Sequence, residues 1–446
     1  MLSEDRLYWV WLAEKCGVAS KEFARLIARF ENPFEIFRLD AEELYAVDCI
    51  DDRLRDRLSQ KSLEQAYSIL KYCSKNGIDI ITYGDKRYPL RLKTLEDPPV
   101  LLYCIGEFPK FDDRLCIGVV GTRKISAYGM QSTYKISYEL ASAAVCIVSG
   151  MALGVDAVAA CAAIEAGGTT VAVLGCGVDV VYPKPHAKLK RAISKHGCVI
   201  SEYPPAEAPY GSNFPKRNRI ISGLCQGVLV IEGNKQSGAI ITAEKAISQG
   251  REVFALPGKI NESNSEGPND LIQRGVNVAL SSDDLIYHFD FLYHNAIDSV
   301  ELYFARSRSE FDASVLEKYG VSAEVHFGAS EMPSVDTKRK ADRSNASAVQ
   351  KSSNTTTKNE DIAVTHKASV NDDSERARGA DNSLAVLESL DSVTRKVFEA
   401  MPIDKAISPD EFVANGISIA EAVTSLTMLE IMGLVSSLPG GTYIRK

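Results

Sequence analysis

The chain has 446 residues, of which 45% are hydrophobic and 25% are charged, and its formal net charge at pH 7 is -8. This composition is typical of a globular protein with roughly two to four domains. The acidic balance argues against wholesale electrostatic coating of nucleic acid, although it is compatible with one concentrated basic site.

Residues 1–76 predict a small helical domain, because apolar residues recur there at helical spacing. Cys16-Gly17-Val18 and the helix after it indicate a helix-hairpin-helix element, whose hairpin can hold a DNA phosphate. Where a second hairpin glycine would be expected, the chain has Asp48-Cys49-Ile50-Asp51, and acidic residues repel phosphate. We therefore interpret this domain as structural. Residues 77–110 predict two strands around an irregular segment, a connector into the next domain.

Residues 111–290 predict an α/β domain, because short β-branched apolar runs alternate with helical segments. Such alternation is typical of a parallel sheet wrapped by helices on both faces. We expect a Rossmann-like, doubly wound fold with helices near residues 130–143, 156–166, 186–196, 214–224, 239–249 and 270–274.

Glycine and small hydroxyl residues follow several of the predicted strands. In a sheet of this kind the ligand lies in the loops at the carboxyl ends of the strands, and backbone N–H groups in glycine-rich turns can contact phosphate oxygens. The loop residues predicted to bind are Gly121, Thr122, Arg123, Ser149, Gly150, Ser237 and Gly238.

The segment 213–219 concentrates polar and cationic side chains directly after a proline. Its members Lys216, Arg217, Asn218 and Arg219 suit an anion near the start of a helix. Alternatively, this is a solvated helix start whose arginines pair with nearby Asp or Glu. The glycine and hydroxyl loops at the same edge of the sheet favour the anion site, with Phe214 as a platform for a base.

The usual fingerprints of nucleotide, metal and hydrolase sites are missing. There is no G-x-G-x-x-G, no G-x-x-x-x-G-K-[ST], no G-x-S-x-G and no metal-spaced histidine pair. The ten cysteines include no C-x-x-C pair, so neither a zinc site nor a disulfide framework is indicated. We expect no cofactor, no metal and no catalytic residue. Glu244 is the carboxylate to consider as a base, although an exposed acid in a first helical turn is the simpler interpretation.

The C-terminal third predicts a linker and a second folded module. Residues 331–383 contain no Phe, Trp, Tyr or Leu, and we predict a disordered linker over residues 305–384. Residues 385–446 predict helices and a hairpin with a Gly440-Gly441 tip, the pattern of a winged helix. Its recognition helix carries Glu421 and Glu430 and no Lys or Arg, which favours docking to a protein over binding to DNA.

The amino-terminal residues and the apolar runs bear on localisation. The start of the chain carries acidic residues and Trp, unlike a signal peptide, and no apolar run approaches the roughly 20 residues that span a bilayer. We expect a cytoplasmic protein without membrane contact.

Seven motifs occur in order over roughly residues 80–285, and together they resemble the DNA-processing protein A (DprA/Smf) family. They are G-T-R at 121–123, S-G-x-A-x-G-x-D at 149–156, G-x-G-x-D-x-x-Y-P at 175–183, S-E-x-P-P at 201–205, F-P-x-R-N-R at 214–219, S-G-x-x-x-T-A at 237–243 and P-G at 257–258.

The resemblance implies a homodimer that binds incoming single-stranded DNA during natural transformation, protects it and loads the RecA recombinase onto it. It implies no catalytic activity. Arg123 matches the family's G-[ST]-R motif, and Phe214, Lys216, Arg217, Asn218 and Arg219 match its strand-binding motif. The alternative is a Rossmann-like nucleotide hydrolase that uses Glu244 or Asp156, although the P-G-G-x-G-T-x-x-E pattern of such enzymes is missing.

Overall fold

The computed structural model describes residues 4–322, 392–402, 405, 407–431, 434–438 and 442–445. The chain divides into two compact units, Met1–Met332 and Pro333–Lys446. Residues 323–384 of the predicted linker lie outside the described residues.

Six helices form the N-terminal part of the first unit around Trp11, Phe23 and Leu26, which are fully buried. Asp51, one of the two acids at the predicted second hairpin, is the N-cap of a helix and accepts from the backbone N–H of Leu54 at 2.7 Å. This use of an acid supports the structural interpretation of the domain. The helices are α1 (Glu4–Cys16), α2 (Lys21–Phe30), α3 (Pro33–Arg38), α4 (Ala41–Tyr45), α5 (Asp52–Ser59) and α6 (Glu64–Lys75).

A nine-stranded sheet forms the centre of the unit, in the order β1-β2-β6-β5-β4-β3-β7-β8-β9. All pairs of neighbouring strands among β3 to β9 are parallel. On its other side, β6 pairs antiparallel with β2. This confirms the Rossmann-like fold. The strands are β1 (Asp79–Thr82), β2 (Leu101–Gly106), β3 (Cys116–Val120), β4 (Cys146–Ser149), β5 (Thr170–Val173), β6 (Gly197–Ser201), β7 (Gly227–Val230), β8 (Glu252–Ala255) and β9 (Asn277–Val278).

The two strands of the predicted connector, residues 77–110, belong to this sheet. β2 pairs antiparallel with β6, where Cys104 lies opposite Ile200, and β1 pairs antiparallel with β2. Strand pairing across nearly a hundred residues leaves no local pattern, so the sequence predicted the strands but not their partner.

Helices cover both faces of the sheet. One apolar core contains residues of α8, α9, α10 and α14, and the other contains residues of α7, α11, α12 and α13. The helices are α7 (Leu90–Lys93), α8 (Ala127–Ser142), α9 (Val155–Glu165), α10 (Ala187–His196), α11 (Asn213–Leu224), α12 (Gly238–Ser248), α13 (Glu266–Gln273), α14 (Ser282–Tyr293), α15 (Ser299–Arg308) and α16 (Ala313–Lys318). The six helices with predicted bounds, α8 to α13, agree with the prediction to within a few residues.

The predicted start of the disordered linker at residue 305 is wrong. Residues 305–322 include the end of α15 and the whole of α16, and Leu316 and Val321 are buried in the core that contains α8 and α9. The prediction extended the linker upstream of the polar segment 331–383. It thereby included apolar residues that pack against the sheet domain.

The second unit contains α17 (Ser392–Ala400), a 3-10 helix (Pro409–Asn415), α18 (Ile419–Ile431) and the antiparallel strands β10 (Val435–Leu438) and β11 (Thr442–Arg445). Phe398, Phe412 and Leu426 form its core. The order of elements agrees with the expected one, whereas the winged-helix assignment stays a prediction. The predicted hairpin tip lies outside the described residues. None of the helices described is long and apolar enough to cross a membrane.

Candidate functional site

An open cleft of about 600 Å³ lies at the carboxyl edge of the sheet, next to β3. The chain runs from β3 outwards through β4, β5 and β6, and then returns through α11 to β7 on the other side of β3. This is the topological switch point at which open α/β sheets bind their ligands.

Most of the predicted site residues meet in this cleft. The predicted residues that line it are Gly121, Thr122, Arg123, Phe214, Arg217, Asn218, Ser237 and Gly238. Gly150 lines a smaller adjoining cavity of about 60 Å³, which shares Arg123, Phe214 and Arg217 with the cleft. Ser149, Lys216 and Arg219 line neither cavity.

Helix α11 presents one face to the cleft. Phe214, Arg217, Asn218 and Ile221 follow each other at the i, i+3, i+4 and i+7 positions of a helix, and all four line the cavity. Lys216 lies on an exposed part of the same helix. Within the motif at 214–219, the side chains on this face of α11 therefore line the cleft, whereas Lys216 and Arg219 do not.

The Arg217 guanidinium enters the floor of the cleft through the loop after β4. Its Nη1 donates to the carbonyl oxygens of Gly150, at 3.0 Å, and of Val173. A Cβ atom on Gly150 would lie 2.3 Å from that nitrogen, so a larger residue at this position would displace the guanidinium. Arg217 is 5% exposed, and burial lowers its pKa, as does the nearby Arg123, while Asp156 opposes the shift.

Asp156 shapes the same loop. Its Oδ2 accepts from the backbone N–H groups of Gly150, at 3.0 Å, and Ala152, at 3.3 Å. Burial raises the pKa of Asp156, and Arg217 opposes that shift. The carboxylate therefore fixes the loop and balances the buried guanidinium.

Two guanidinium groups lie close to the Phe214 ring. The Cζ atoms of Arg123 and Arg217 are 5.7 Å and 6.0 Å from its centroid, within the range of cation–π attraction. Tyr182 packs beside it, with ring centroids 5.4 Å apart. Phe214 is half-buried and Arg123 is exposed. An aromatic face flanked by cations is the arrangement that binds stacked bases and their phosphates.

Helices α8 and α12 both begin at this edge of the sheet, but only the N-terminus of α8 is bonded to a carboxylate. At α12, Ser237 makes no capping bond with its side chain, and Ser237 and Gly238 line the cleft. At α8, the buried carboxylate of Glu232 accepts from the backbone N–H of Ser126 at 3.0 Å and from its hydroxyl. Burial raises the pKa of Glu232, and the bonds from Ser126 oppose that shift. The positive end of α12 thus remains available to an anion, whereas that of α8 is taken.

Arg219 points away from the cleft and is 2% exposed. Its Nη2 lies 2.8 Å from both carboxylate oxygens of Glu202, and its Nε lies 3.1 Å from Asp97 Oδ2. The backbone N–H of Ala19 also donates to Glu202, at 3.4 Å. Arg219 thus pairs with acidic residues, as the alternative interpretation of the segment expected, and does not bind in the cleft. Through Glu202 it links α11 to the N-terminal helices.

The remaining predicted residues have other surroundings. The buried Ser149 hydroxyl donates to the Val119 carbonyl at 2.7 Å and so joins β4 to β3. Glu244 is exposed and lies 3.6 Å from Arg274, outside the cleft. Among the residues that the structure describes, no group of His, Cys, Asp and Glu could hold a metal ion.

Several cleft residues were not predicted to bind, among them Ala152, Tyr182, Ile221 and Thr242. Helical spacing from Phe214 could have identified Ile221. Tyr182 belongs to the G-x-G-x-D-x-x-Y-P motif after β5, so the sequence placed it at this edge of the sheet without identifying it as a binding residue.

Comparison with known proteins gives consistent results. The family model described as DNA recombination-mediator protein A matches residues 79–290. DNA processing protein DprA of Bacillus subtilis is 38% identical over 52% of this chain and 80% of its own length. The X-ray structure of DNA processing protein A from Streptococcus pneumoniae has 33% identity and a TM-score of 0.56, over 63% of this chain and 97% of that one.

A further solved structure concerns the single-stranded DNA binding mode of DNA processing protein A from Helicobacter pylori. It has 30% identity and a TM-score of 0.44, over 48% of this chain and 95% of that one.

Proposed function

This chain belongs to the DNA recombination-mediator protein A family, and we propose that it binds single-stranded DNA in the cleft at α11. The observation that supports this most directly is the half-buried Phe214 ring beside the guanidinium groups of Arg123 and Arg217. A single strand exposes the faces of its bases to such a ring, whereas a duplex hides them in its stack.

Phosphate contacts would come from two further features of the cleft. Arg123 is exposed, and no described carboxylate forms an ion pair with it, so its charge is available to a ligand. Ser237 and Gly238 at the start of α12 line the same cleft, where the positive end of that helix favours an anion. These groups recognise a backbone without reading its sequence, so we expect binding that is independent of sequence and weakened by salt.

Replacing Arg123 with Ala is expected to remove one phosphate contact. The slope of log K against log salt for a single strand should become shallower by about 0.7, and the affinity at low salt should fall about fivefold, for roughly 1 kcal/mol. Fluorescence anisotropy with a labelled strand measures both. Lys124→Ala is the matched control, because Lys124 is the next residue, is exposed and does not line the cleft. Equal losses in the two variants would contradict the assignment.

We also propose that the protein is a homodimer formed through α14 and the segment before it. Phe291 and Tyr287, one helical turn apart on α14, are 95% and 77% exposed, and Leu280 and Leu292 are also exposed. This apolar surface adjoins β9, the edge strand of the sheet. A second copy would cover the same residues in both subunits, as twofold symmetry requires.

The change Phe291→Asp is expected to convert the dimer into a monomer, because the interface would bury an unpaired carboxylate. Light scattering after size-exclusion chromatography measures the mass. Tyr67→Asp, which places the same charge at an exposed aromatic residue of α6, serves as the control. A wild-type protein that is already monomeric at all concentrations would contradict the proposal.

The later steps that we propose are protection of the strand and loading of RecA during natural transformation in the cytoplasm, without a catalytic activity of its own. The C-terminal unit would dock a protein: Ile419 and Val423 are exposed apolar residues of α18, next to the acidic Glu421. Loading would be measured as faster growth of RecA filaments on a strand when the protein is added. Unchanged growth would contradict it.

A further inference from the structure

A second cationic surface lies on α10, outside the cleft. Leu189 and Ile193 are fully buried in the core, while Lys188, Arg191 and Lys195 project from the opposite, exposed side. The three cations are spaced at i, i+3 and i+7, so they follow one side of the helix. We call these three residues the α10 cationic face.

The charge of this face is not neutralised within the part of the chain that the structure describes. None of the three cations forms an ion pair with a described carboxylate, and their clustering along one side of a single helix concentrates the charge. The nearby carboxylate of Glu165 is already engaged by Lys318, at 2.6 Å, and by the Tyr319 hydroxyl. In a chain with a net charge of -8, an unpaired cluster of this kind indicates an anionic ligand.

The face forms one wall of a groove of about 360 Å³. His196 continues the wall, and Ile164, Lys318 and Tyr319 form the opposite side. The aliphatic part of Lys188 lies near Gly320, where an added Cβ would be 3.7 Å from its Cδ. The groove thus has walls from three helices, and its volume is much larger than a single ion needs.

The groove and the cleft are close together along the chain. Tyr182 lines the cleft beside Phe214, and the short turn Lys184–His186 leads from it directly into α10. Along the helix axis the three cations are spaced by about 4.5 Å and about 6 Å. These steps exceed the roughly 3.4 Å rise per nucleotide of a stacked strand and suit an extended one.

We propose that a single strand leaving the cleft past Tyr182 continues along the α10 cationic face, which holds its phosphates. The inference rests on the proposed function and extends it, because it assigns a second binding segment and a minimum length of strand. A strand of about 6 nucleotides fills the cleft, whereas one of about 20 nucleotides also reaches α10.

The test compares these two lengths of labelled oligothymidylate with the full chain by fluorescence anisotropy. The variant is Lys188→Gln, Arg191→Gln and Lys195→Gln combined. For the long strand we expect about tenfold weaker binding at low salt and a salt slope shallower by about 2, since each of three lost contacts contributes about 0.7. For the short strand we expect the affinity and the slope of the wild type.

The matched control combines Lys71→Gln, Lys75→Gln and Lys86→Gln, which removes the same charge at exposed residues far from α10 in the sequence. The inference is overturned if the α10 variant binds the long strand like the wild type, or if the control loses as much. Failure of the proposed function would give a different result. The short strand would not bind to the wild type. The change Arg123→Ala would leave binding of the long strand unchanged, while the α10 variant would still weaken it.

Discussion

Replacing Arg219 with Met is expected to lower the free energy of unfolding of the first unit by about 3–5 kcal/mol. The substitution removes the cation that lies 2.8 Å from both oxygens of Glu202, which is itself buried. Breaking one side of a buried ion pair leaves a charge without its partner in a medium of low dielectric. The same change should leave the affinity of the cleft for a strand unaltered wherever the protein is still folded.

Urea unfolding followed by Trp fluorescence is a suitable measurement, because both tryptophans, Trp9 and Trp11, lie in α1. They therefore report on the helices that Ala19 links to Glu202. The double variant Arg219→Met with Glu202→Gln removes both charges, and we expect it to be more stable than Arg219→Met alone. A single variant with wild-type stability and lost DNA affinity would instead make Arg219 a DNA contact.

Replacing Phe214 with Ala is expected to weaken binding of a single strand by about 1–3 kcal/mol, or about 5- to 160-fold, through the loss of one stacked base. Because the ring carries no charge, the salt slope should remain that of the wild type. This separates the stacking contribution of Phe214 from the phosphate contribution of Arg123, whose loss alters the slope.

The control for Phe214 is Tyr210→Ala, which removes an exposed aromatic ring from the same part of the chain that does not line the cleft. Anisotropy titrations at two salt concentrations measure both variants. Unchanged affinity of Phe214→Ala, or an equal loss with Tyr210→Ala, would rule out the ring as the base platform.

The sequence was a good guide to the sheet because its strands are buried on both faces and read as short β-branched runs. Strand β7 (Gly227–Val230), for example, lies in one of the short apolar runs from which the sheet was predicted. The antiparallel pairing of β2 with β6 could not be predicted in this way, because it depends on contacts between distant segments.

The sequence predicted which loops form the site, but it did not predict which individual side chains enter the cleft. Parallel strands place their carboxyl ends at one edge, so Thr122, Phe214 and Gly238 were expected to meet, as they do. The direction of each side chain on α11 depends on the helical phase, which separates Arg217 from Arg219 by two residues and about half a turn. Arg217 therefore reaches Gly150 at the floor of the cleft, whereas Arg219 reaches Glu202 on the other side of the helix.

Glu232 has a consequence for competition by small nucleotides. In dinucleotide-binding Rossmann domains, the pyrophosphate lies at the N-terminus of the helix that follows the first parallel strand. Here that helix is α8, and a free dinucleotide would find Ser126 N–H already bonded to Glu232. The proposed strand site around α11 and α12 does not include Ser126. Glu232 would therefore act against a free dinucleotide at α8 without affecting the proposed binding of a strand.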